Sequence, residues 1–422
     1  MALLLLFVSL PQAAGADLFE RLQPVDHGLA PQRLERLSEG MRRYVEEGRI
    51  SGVVSLVARR DQLAHQQVVG WSDVEAQKPM RRDTIFRIYS MTKPITSVAV
   101  LMLMEEGKLR LSDPVDHWLP ELANLEVLRD PNGPLDQVDP SPQPITIRDL
   151  LTHTSGLAYV FTVQGPLSKA LAEKGLYGSN AKLAPDEWIA RLGKLPLAYA
   201  PGTHWNYSLS TDVLGVLVAR VSGVPFGEFL RTRIFEPLRM PDTGFFVPGE
   251  KLDRLAVNYA LSEETGERVV FDHPTKTSYA ESPAFPSGGG GLVSTADDYL
   301  RFARMLLGKG ELDSVRLLSR KTVELMTQNS LSDEERDVVF TGRRFFGGQG
   351  FGLGVSVVTD LGRSASLGSV GKHGWGGAAG TWYWVDPQEE LIGVMMIQLM
   401  RATQQIPIRA DFETLVYQAI DD

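Results

Sequence analysis

The first long pattern of apolar and polar positions covers residues 31–48, where apolar residues recur at helical spacing. One stripe is formed by Leu34, Leu37, Met41 and Val45. This pattern predicts an amphipathic helix. The two runs that follow, 53–58 and 63–71, are rich in valine and predict a pair of adjacent strands.

A second group of predicted strands lies near the C-terminus. Apolar runs at 351–358, 378–385 and 391–399 each have the length and composition of a strand, and helical spacing over 408–420 predicts a final helix. Strands at both ends of a chain predict a single sheet to which both termini contribute. We expect that sheet to be flanked by these helices.

The middle of the chain has mostly helical patterns, separated by proline and glycine. Helices are predicted at 95–106, 215–222 and 295–307, the last with a capping sequence in front of it. The proline-rich stretch 131–144 and the polar stretch 261–279 are interpreted as long loops.

These patterns together predict an α+β protein with two domains. Residues 17–85 and 300–422 form a discontinuous α/β domain, which contains an antiparallel sheet flanked by helices. Residues 86–299 form an inserted, mostly helical domain.

The N-terminus predicts export. The apolar run at 2–10 is too short to span a bilayer, and the small residues Ala14 and Ala16 fit a signal-peptidase site, so residues 1–16 are interpreted as a signal peptide. Export would place the protein in the periplasm or outside the cell. The run has no Lys or Arg before it, which leaves a cytoplasmic location open. We expect no stable membrane insertion elsewhere in the chain.

Charge and composition exclude several kinds of function. The 422 residues contain 43 Lys and Arg against 52 Asp and Glu, a net charge of −9 without a basic tract, so we expect no nucleic-acid partner. The absence of cysteine excludes disulfides and thiolate chemistry. Seven scattered histidines show no spacing typical of metal ligands, and no metal or other cofactor is expected. The oligomeric state stays open.

The most informative spacing joins Ser90 and Lys93. A helix that begins near Ser90 would place Lys93 one turn further along on the same face, within reach of the hydroxyl. A serine becomes a good nucleophile when a neighbouring neutral amine accepts its proton. A Ser-x-x-Lys spacing alone is weak, because a serine cap followed by an exposed lysine is common.

The residues around this spacing strengthen it. Ser-Met-Thr-Lys-Pro at 90–94 precedes an apolar helix, Leu-Leu-Thr-His-Thr-Ser-Gly-Leu stands at 150–157, and Pro-Gly-Thr stands at 201–203. With these motifs the chain resembles the superfamily of serine β-lactamases and penicillin-binding proteins, nearest its class C-like branch, the family VIII carboxylesterases. The resemblance extends from about residue 52 to 399 and implies the two-domain β-lactamase/DD-peptidase-like fold, with the active site between the domains.

The resemblance assigns roles to three residues. Ser90 would be the nucleophile, and Lys93 and Tyr207 would accept and relay its proton. Leu209 stands where β-lactamases of this superfamily have an asparagine that holds the substrate amide, which argues against β-lactam recognition. His153 is interpreted as part of a polar turn after a helix rather than as a catalytic base.

The third motif of the superfamily has two alignments here. Trp375, Gly376 and Gly377 resemble the esterase branch, whereas His373 followed by glycine resembles the His-x-Gly form of other relatives. We favour the first alignment and keep His373 as a second candidate for substrate binding. Glycines at a strand edge allow close approach of a substrate.

The same resemblance implies an oxyanion hole and a substrate wall. The backbone N–H groups of Ser90 and Ala378 would stabilise the developing oxyanion, and Tyr89 and Trp375 would contact the substrate. The expected partner is a small-molecule ester.

The resulting hypothesis is a serine carboxylesterase that hydrolyses short-chain acyl esters through an acyl-enzyme. Three alternatives remain: a β-lactamase with a preference for cephalosporins, an acyltransferase that uses the same acyl-enzyme, and a non-catalytic penicillin-binding relative. The presence of Ser90, Lys93 and Tyr207 together argues against the last.

Overall fold

A computed structural model describes residues 27–177, 181–340, 343–344 and 346–422. The predicted signal peptide at 1–16 lies outside these residues. The helices described are α1 Pro31–Glu46, α2 Thr92–Glu105, α3 Ile147–Thr152, α4 Gly165–Glu173, α5 Pro185–Leu192, α6 Ser210–Ser222, α7 Phe226–Leu230, α8 Ala296–Leu307, α9 Arg320–Met326, α10 Ala402–Gln405 and α11 Ile408–Tyr417.

The strands are mostly short and concentrated at the two ends of the chain. They are β1 Gly52–Arg59, β2 Gln62–Asp73, β3 Lys78–Pro79, β4 Phe86–Arg87, β5 Glu126–Leu128, β6 Val138–Pro140, β7 Asn258–Leu261, β8 Arg268–Asp272, β9 Val293–Ser294, β10 Glu311–Leu312, β11 Val315–Arg316, β12 Val339–Phe340, β13 Arg343–Arg344, β14 Gln349–Phe351, β15 Ser356–Val358, β16 His373–Gly376, β17 Trp382–Asp386 and β18 Leu391–Met396.

Eight strands form one antiparallel sheet in the order β14-β15-β16-β17-β18-β1-β2-β3. The N-terminal and C-terminal strands meet where β1 pairs with β18, with Leu56 opposite Val394. This pairing confirms the predicted α+β fold and the predicted sheet built from both ends of the chain.

The sheet is covered on both faces. Val53 and Val57 of β1 pack in a cluster with the apolar faces of α1 and α11, whereas the alternate residues Val54 and Leu56 belong to the large core that contains α2, α6 and α8. Because successive side chains of a strand point to opposite faces, a strand between two helical layers must be apolar throughout. Every residue of β1 is accordingly buried.

Glycine turns interrupt two of the predicted strands. The predicted strand at 351–358 is wrong, because β14 and β15 are separate strands joined by a turn in which Gly354 has a φ of +89°. The predicted strand at 378–385 begins later, at Trp382, because Gly380, with a φ of +86°, belongs to a turn. A positive φ is a conformation that glycine adopts without a steric penalty.

Both predicted loops contain strands. The stretch at 261–279 includes β8, which pairs with β7, and the stretch at 131–144 includes β6, which pairs with β5. Strand β8 was missed because three consecutive residues of it are exposed, so it lacks the alternation typical of a half-buried strand.

The segment between β3 and β9 contains α2 to α7 and the three predicted catalytic residues, Ser90, Lys93 and Tyr207. The predicted domain division at residue 299 falls inside α8, which contacts β1, β17 and β18 of the sheet. Among the described residues, no single helix is long and apolar enough to cross a membrane, and one helix pair that passes by length and composition, Ser210–Ser222 with Phe226–Phe235, is bent by 82°.

Candidate active site

Ser90 lies at a sharp change of chain direction between a strand and a helix. Strand β4 leads into a single 3-10 turn at Tyr89–Met91, and α2 follows at once. Tyr89 is held in the left-handed region with a φ of +43°, which is costly for a residue other than glycine and is frequent at functional sites. Ser90 is half-buried there, at the start of the helical segment.

The Tyr89 side chain is hydrogen-bonded to β7. Its hydroxyl oxygen accepts a hydrogen bond from Nδ2 of Asn258 at 2.9 Å, and burial raises the pKa of Tyr89 to about 12. Tyr89, one of the residues predicted to bind substrate, is thus joined through its hydroxyl to Asn258, and its backbone belongs to the turn that carries Ser90.

Lys93 lies one helical turn after Ser90 and is almost completely buried. Its Nζ atom is 3.3 Å from Ser90 Oγ and also donates to the hydroxyl of Tyr159 at 3.1 Å and to the carbonyl of Gly289 at 2.7 Å. The amine is thus fixed by three partners in a position that faces the serine hydroxyl. The structure brings Ser90 and Lys93 together as their spacing predicts.

Tyr207 completes the group. Lys93 Nζ lies 4.5 Å from the centroid of the Tyr207 ring, and Nε1 of Trp375 donates a hydrogen bond to the Tyr207 hydroxyl oxygen at 3.2 Å. Two segments that lie about 115 and 280 residues further along the chain than Ser90 therefore come together with it in the folded protein. Ser90, Lys93, Tyr207 and Trp375 are the predicted site residues that the structure joins.

Two further residues of this group were not predicted. Tyr159 accepts from Lys93 and donates to Oδ2 of Asp212 at 3.2 Å. Asp212 is fully buried and also accepts from the Ser287 hydroxyl and, at 3.1 Å, from the backbone N–H of Gly289. The Asp212 carboxylate, which accepts three hydrogen bonds, is thus connected to Lys93 through the Tyr159 hydroxyl.

Burial dominates the electrostatics of this pair. It raises the pKa of Asp212 above its ordinary value, an effect that the charge of Lys93 partly offsets. Burial, followed by the Asp212 carboxylate, raises the pKa of Tyr159 well above its ordinary value, so this phenol stays protonated. The one signal in the sequence was an aspartate inside the apolar stretch that forms α6.

His153 is placed where the sequence predicts a turn, directly after α3, with a left-handed φ of 59°. Its Nδ1 lies 3.2 Å from Ser208 Oγ, and its ring is 4.9 Å from that of Tyr207. Burial, together with the charge of Lys93, lowers its pKa well below the ordinary value, so the ring is neutral. Its contacts support the Tyr207 loop and do not include Ser90.

The glycines after Trp375 allow two chain segments to come close together. A side chain at Gly377 would overlap the carbonyl of Ile88, two residues before Ser90. Ala378 follows in an exposed turn. Its carbonyl accepts from Arg401 N–H at 2.8 Å, whereas its own N–H has no acceptor in the part of the chain that the structure describes. An N–H without a protein acceptor is what the predicted oxyanion-hole role of Ala378 requires.

His373 and Leu209, which the motif analysis singled out, are both buried. His373 is buried at the start of β16, its Nδ1 is 3.0 Å from the carbonyl of Gly371, and the structure does not join it to Ser90. Leu209 is fully buried at the start of α6 and packs in the core.

Within the described residues, no group of three or more acidic or histidine side chains could hold a metal ion.

Comparisons with known proteins agree with this geometry. The model of the Beta-lactamase family matches residues 37–418. The chain is 45% identical to Protein Rv1367c of Mycobacterium tuberculosis over 85% of this chain and 88% of the relative, and 34% identical to Esterase EstB of Burkholderia gladioli over 83% and 86%.

A solved structure shows the same fold. EstCE1, described as a hydrolase with promiscuous acyltransferase activity, superimposes with a TM-score of 0.77 at 29% identity, over 91% of this chain and 98% of EstCE1. The predicted resemblance is thereby confirmed. The chain belongs to the Beta-lactamase family, in the branch of class C-like serine hydrolases and acyltransferases that includes the family VIII esterases.

Proposed function

We propose that this protein is a serine carboxylesterase that forms an acyl-enzyme on Ser90. The observation that carries the proposal is the contact of Lys93 Nζ with Ser90 Oγ at 3.3 Å, made by a buried amine that also faces the Tyr207 ring. A nucleophile and a base within hydrogen-bond reach of each other, with the base held by further groups, is the arrangement that nucleophilic catalysis needs.

Acylation follows from these positions. Ser90 Oγ attacks the ester carbonyl carbon while its proton moves to the Lys93–Tyr207 pair. The carbonyl oxygen, now negative, accepts from the N–H groups of Ser90 and Ala378, and one such donor contributes about 3 kcal/mol to transition-state stabilisation. The alcohol leaves after it takes the proton from the Tyr207 hydroxyl.

Deacylation reverses the roles with water as the nucleophile. The Tyr207 oxygen, oriented by Trp375 and next to Lys93, removes a proton from water, and water attacks the acyl carbon. Ser90 regains its proton as the acid is released. The chain itself supplies the catalytic groups of this cycle.

Esters suit this site better than β-lactams. The position at which β-lactamases of the superfamily present an asparagine is the buried Leu209, which offers no amide to a β-lactam side chain. Trp375 contributes an apolar surface beside Tyr207, with 5.7 Å between the ring centroids, and this surface suits an acyl or aromatic group. Short-chain acyl esters are therefore the proposed substrates.

Acyl transfer to an alcohol is the second candidate. EstCE1, which shares this fold at 29% identity, is described as having promiscuous acyltransferase activity. An alcohol that replaces water at Tyr207 would complete the same cycle and give a new ester. The ratio of the two products in the presence of an added alcohol distinguishes hydrolysis from transfer.

Turnover of 4-nitrophenyl butyrate and of nitrocefin by the purified protein tests the proposal. We expect ester turnover well above nitrocefin turnover, with both lost in Ser90→Ala and kept in Ser332→Ala, which changes an exposed serine. Faster turnover of nitrocefin than of the ester would identify a β-lactamase instead. Ester turnover that survives Ser90→Ala would refute the assignment of the nucleophile.

A further inference from the structure

A large open cavity lies beside α6, apart from the catalytic group. Its volume is about 1310 Å³, and neither Ser90, Lys93 nor Tyr207 lines it. Val216 and Ala219 of α6 form one wall, and Phe226 and Phe245, whose rings are 5.5 Å apart, form another. The lining is mainly apolar and rich in aromatic rings and prolines, which is typical of a small-molecule site.

Two of the three basic residues that line this cavity form ion pairs. Arg231 is paired with Glu228 and Glu236, and Lys251 is paired with Asp242 at 2.9 Å. Among the basic residues of the lining, the exposed Arg239 has no ion pair within the described ranges.

One acid that is close enough to Arg239 to feel its charge already has another partner. Asp313 is hydrogen-bonded to Arg301, which lowers the pKa of that carboxyl most, while Arg304 and Arg239 contribute less. The guanidinium of Arg239 is therefore available to an anion from outside. A carboxylate is one of the groups that its planar donors match in a bidentate arrangement.

We propose that this cavity binds a long-chain carboxylic acid, with its alkyl chain against Val216, Ala219 and the Phe226–Phe245 wall and its carboxylate at Arg239. Burial of an apolar chain supplies most of the binding free energy, and Arg239, the one lining cation without an ion pair among the described residues, selects an anionic head group. This site does not depend on the identity of the nucleophile.

The cavity adjoins the segment that holds Asp212. Val216 follows Asp212 by one turn on the same face of α6, and Phe285 and Pro286 of the lining lead directly to Ser287, whose hydroxyl donates to Asp212. A bound chain therefore touches the residues next to the buried carboxylate.

Isothermal titration with dodecanoate tests the proposal. We expect saturable binding at one site, which Ala219→Trp abolishes by filling the cavity and Arg239→Gln weakens about tenfold. Two control variants should bind as the unchanged protein does: Ala172→Trp, a half-buried alanine of α4 outside the lining, and Arg42→Gln, an exposed arginine of α1. Dodecanol should bind about tenfold more weakly than dodecanoate, and butyrate should not bind.

Three results would overturn the proposal as a whole, and a fourth would overturn its assignment of Arg239. The first is an absence of dodecanoate binding, and the second is binding that Ala219→Trp leaves intact. The third is a dimer in sedimentation experiments that Ala219→Trp dissociates, because the cavity would then be covered by a second copy of the chain. Equal binding of dodecanol and dodecanoate would refute the role of Arg239. Because binding is measured directly, none of these results depends on esterase activity.

Discussion

The indole Nε1 of Trp375 donates a hydrogen bond to the hydroxyl oxygen of Tyr207 at 3.2 Å. A donor at this position stabilises negative charge on the phenol oxygen, which arises each time Tyr207 gives up its proton. Trp375 therefore acts on the proton relay as well as on the substrate wall.

Trp375→Phe keeps an aromatic ring and removes this donor. We expect kcat for 4-nitrophenyl butyrate to fall about tenfold with little change in KM, because the lost bond is strongest when the oxygen carries charge. Trp71→Phe, at a tryptophan that is 39% exposed, is the matched control. A change in KM alone would mean that Trp375 serves only as a wall.

The contact chain from Lys93 through Tyr159 to Asp212 predicts a second loss of activity. Asp212→Asn removes the buried negative charge next to the Lys93 amine, and we expect kcat to fall on the order of 100-fold. Tyr159→Phe breaks the chain at its middle and should cost about tenfold.

The double variant tests whether these residues act as one unit. If Tyr159 transmits the effect of Asp212, the double variant should be no slower than Asp212→Asn alone. Losses that simply multiply would show that the two residues act independently. Melting temperatures of all three variants separate a loss of activity from a loss of folded protein.

The sequence alone predicted the site residues that lie close together in the chain or belong to family motifs. Ser90 and Lys93 are one helical turn apart, so the start of α2 brings them together, and Pro94 is tolerated because it lies in the first turn of that helix. Strands β1 and β18 were recognised because the runs at 53–58 and 391–399 are almost entirely apolar, as strands covered on both faces require.

Tyr159 and Asp212 could not be predicted in the same way. They are 53 residues apart. Tyr159 contacts Lys93 directly, and Asp212 joins it because α6 packs against the 288–289 segment, a relationship that no local pattern records. Strand β8 was missed because its exposed valines and phenylalanine follow no alternation. The motif alone favoured Trp375 and kept His373 as a second candidate, and the contact that distinguishes them is the hydrogen bond from Trp375 to Tyr207.

Asp298 predicts a dependence of stability on pH. Its carboxylate accepts from the N–H of Asp242 at 2.8 Å and from the Thr243 hydroxyl at 2.9 Å, and burial raises its pKa from 3.8 to about 7. In the unfolded chain this carboxyl ionises near its ordinary pKa. The stability that it contributes is therefore fully present below about pH 4 and is lost as the pH rises through 7.

Asp298→Asn removes this titration. The melting temperature of the variant relative to the unchanged protein should rise by about 2–4 °C between pH 5 and pH 8. Asp136→Asn, which changes an exposed aspartate, is the control and should show no such trend. A difference that stays constant or falls with pH would contradict the raised pKa.

Covalent labelling of Ser90 tests the central claim most directly. The protein is treated with a fluorophosphonate, its intact mass is measured, and the modified peptide is identified by tandem mass spectrometry. The account predicts one adduct per chain, located on Ser90, and none in Ser90→Ala. An adduct on any other residue, or ester turnover by a protein that the reagent does not modify, would contradict it.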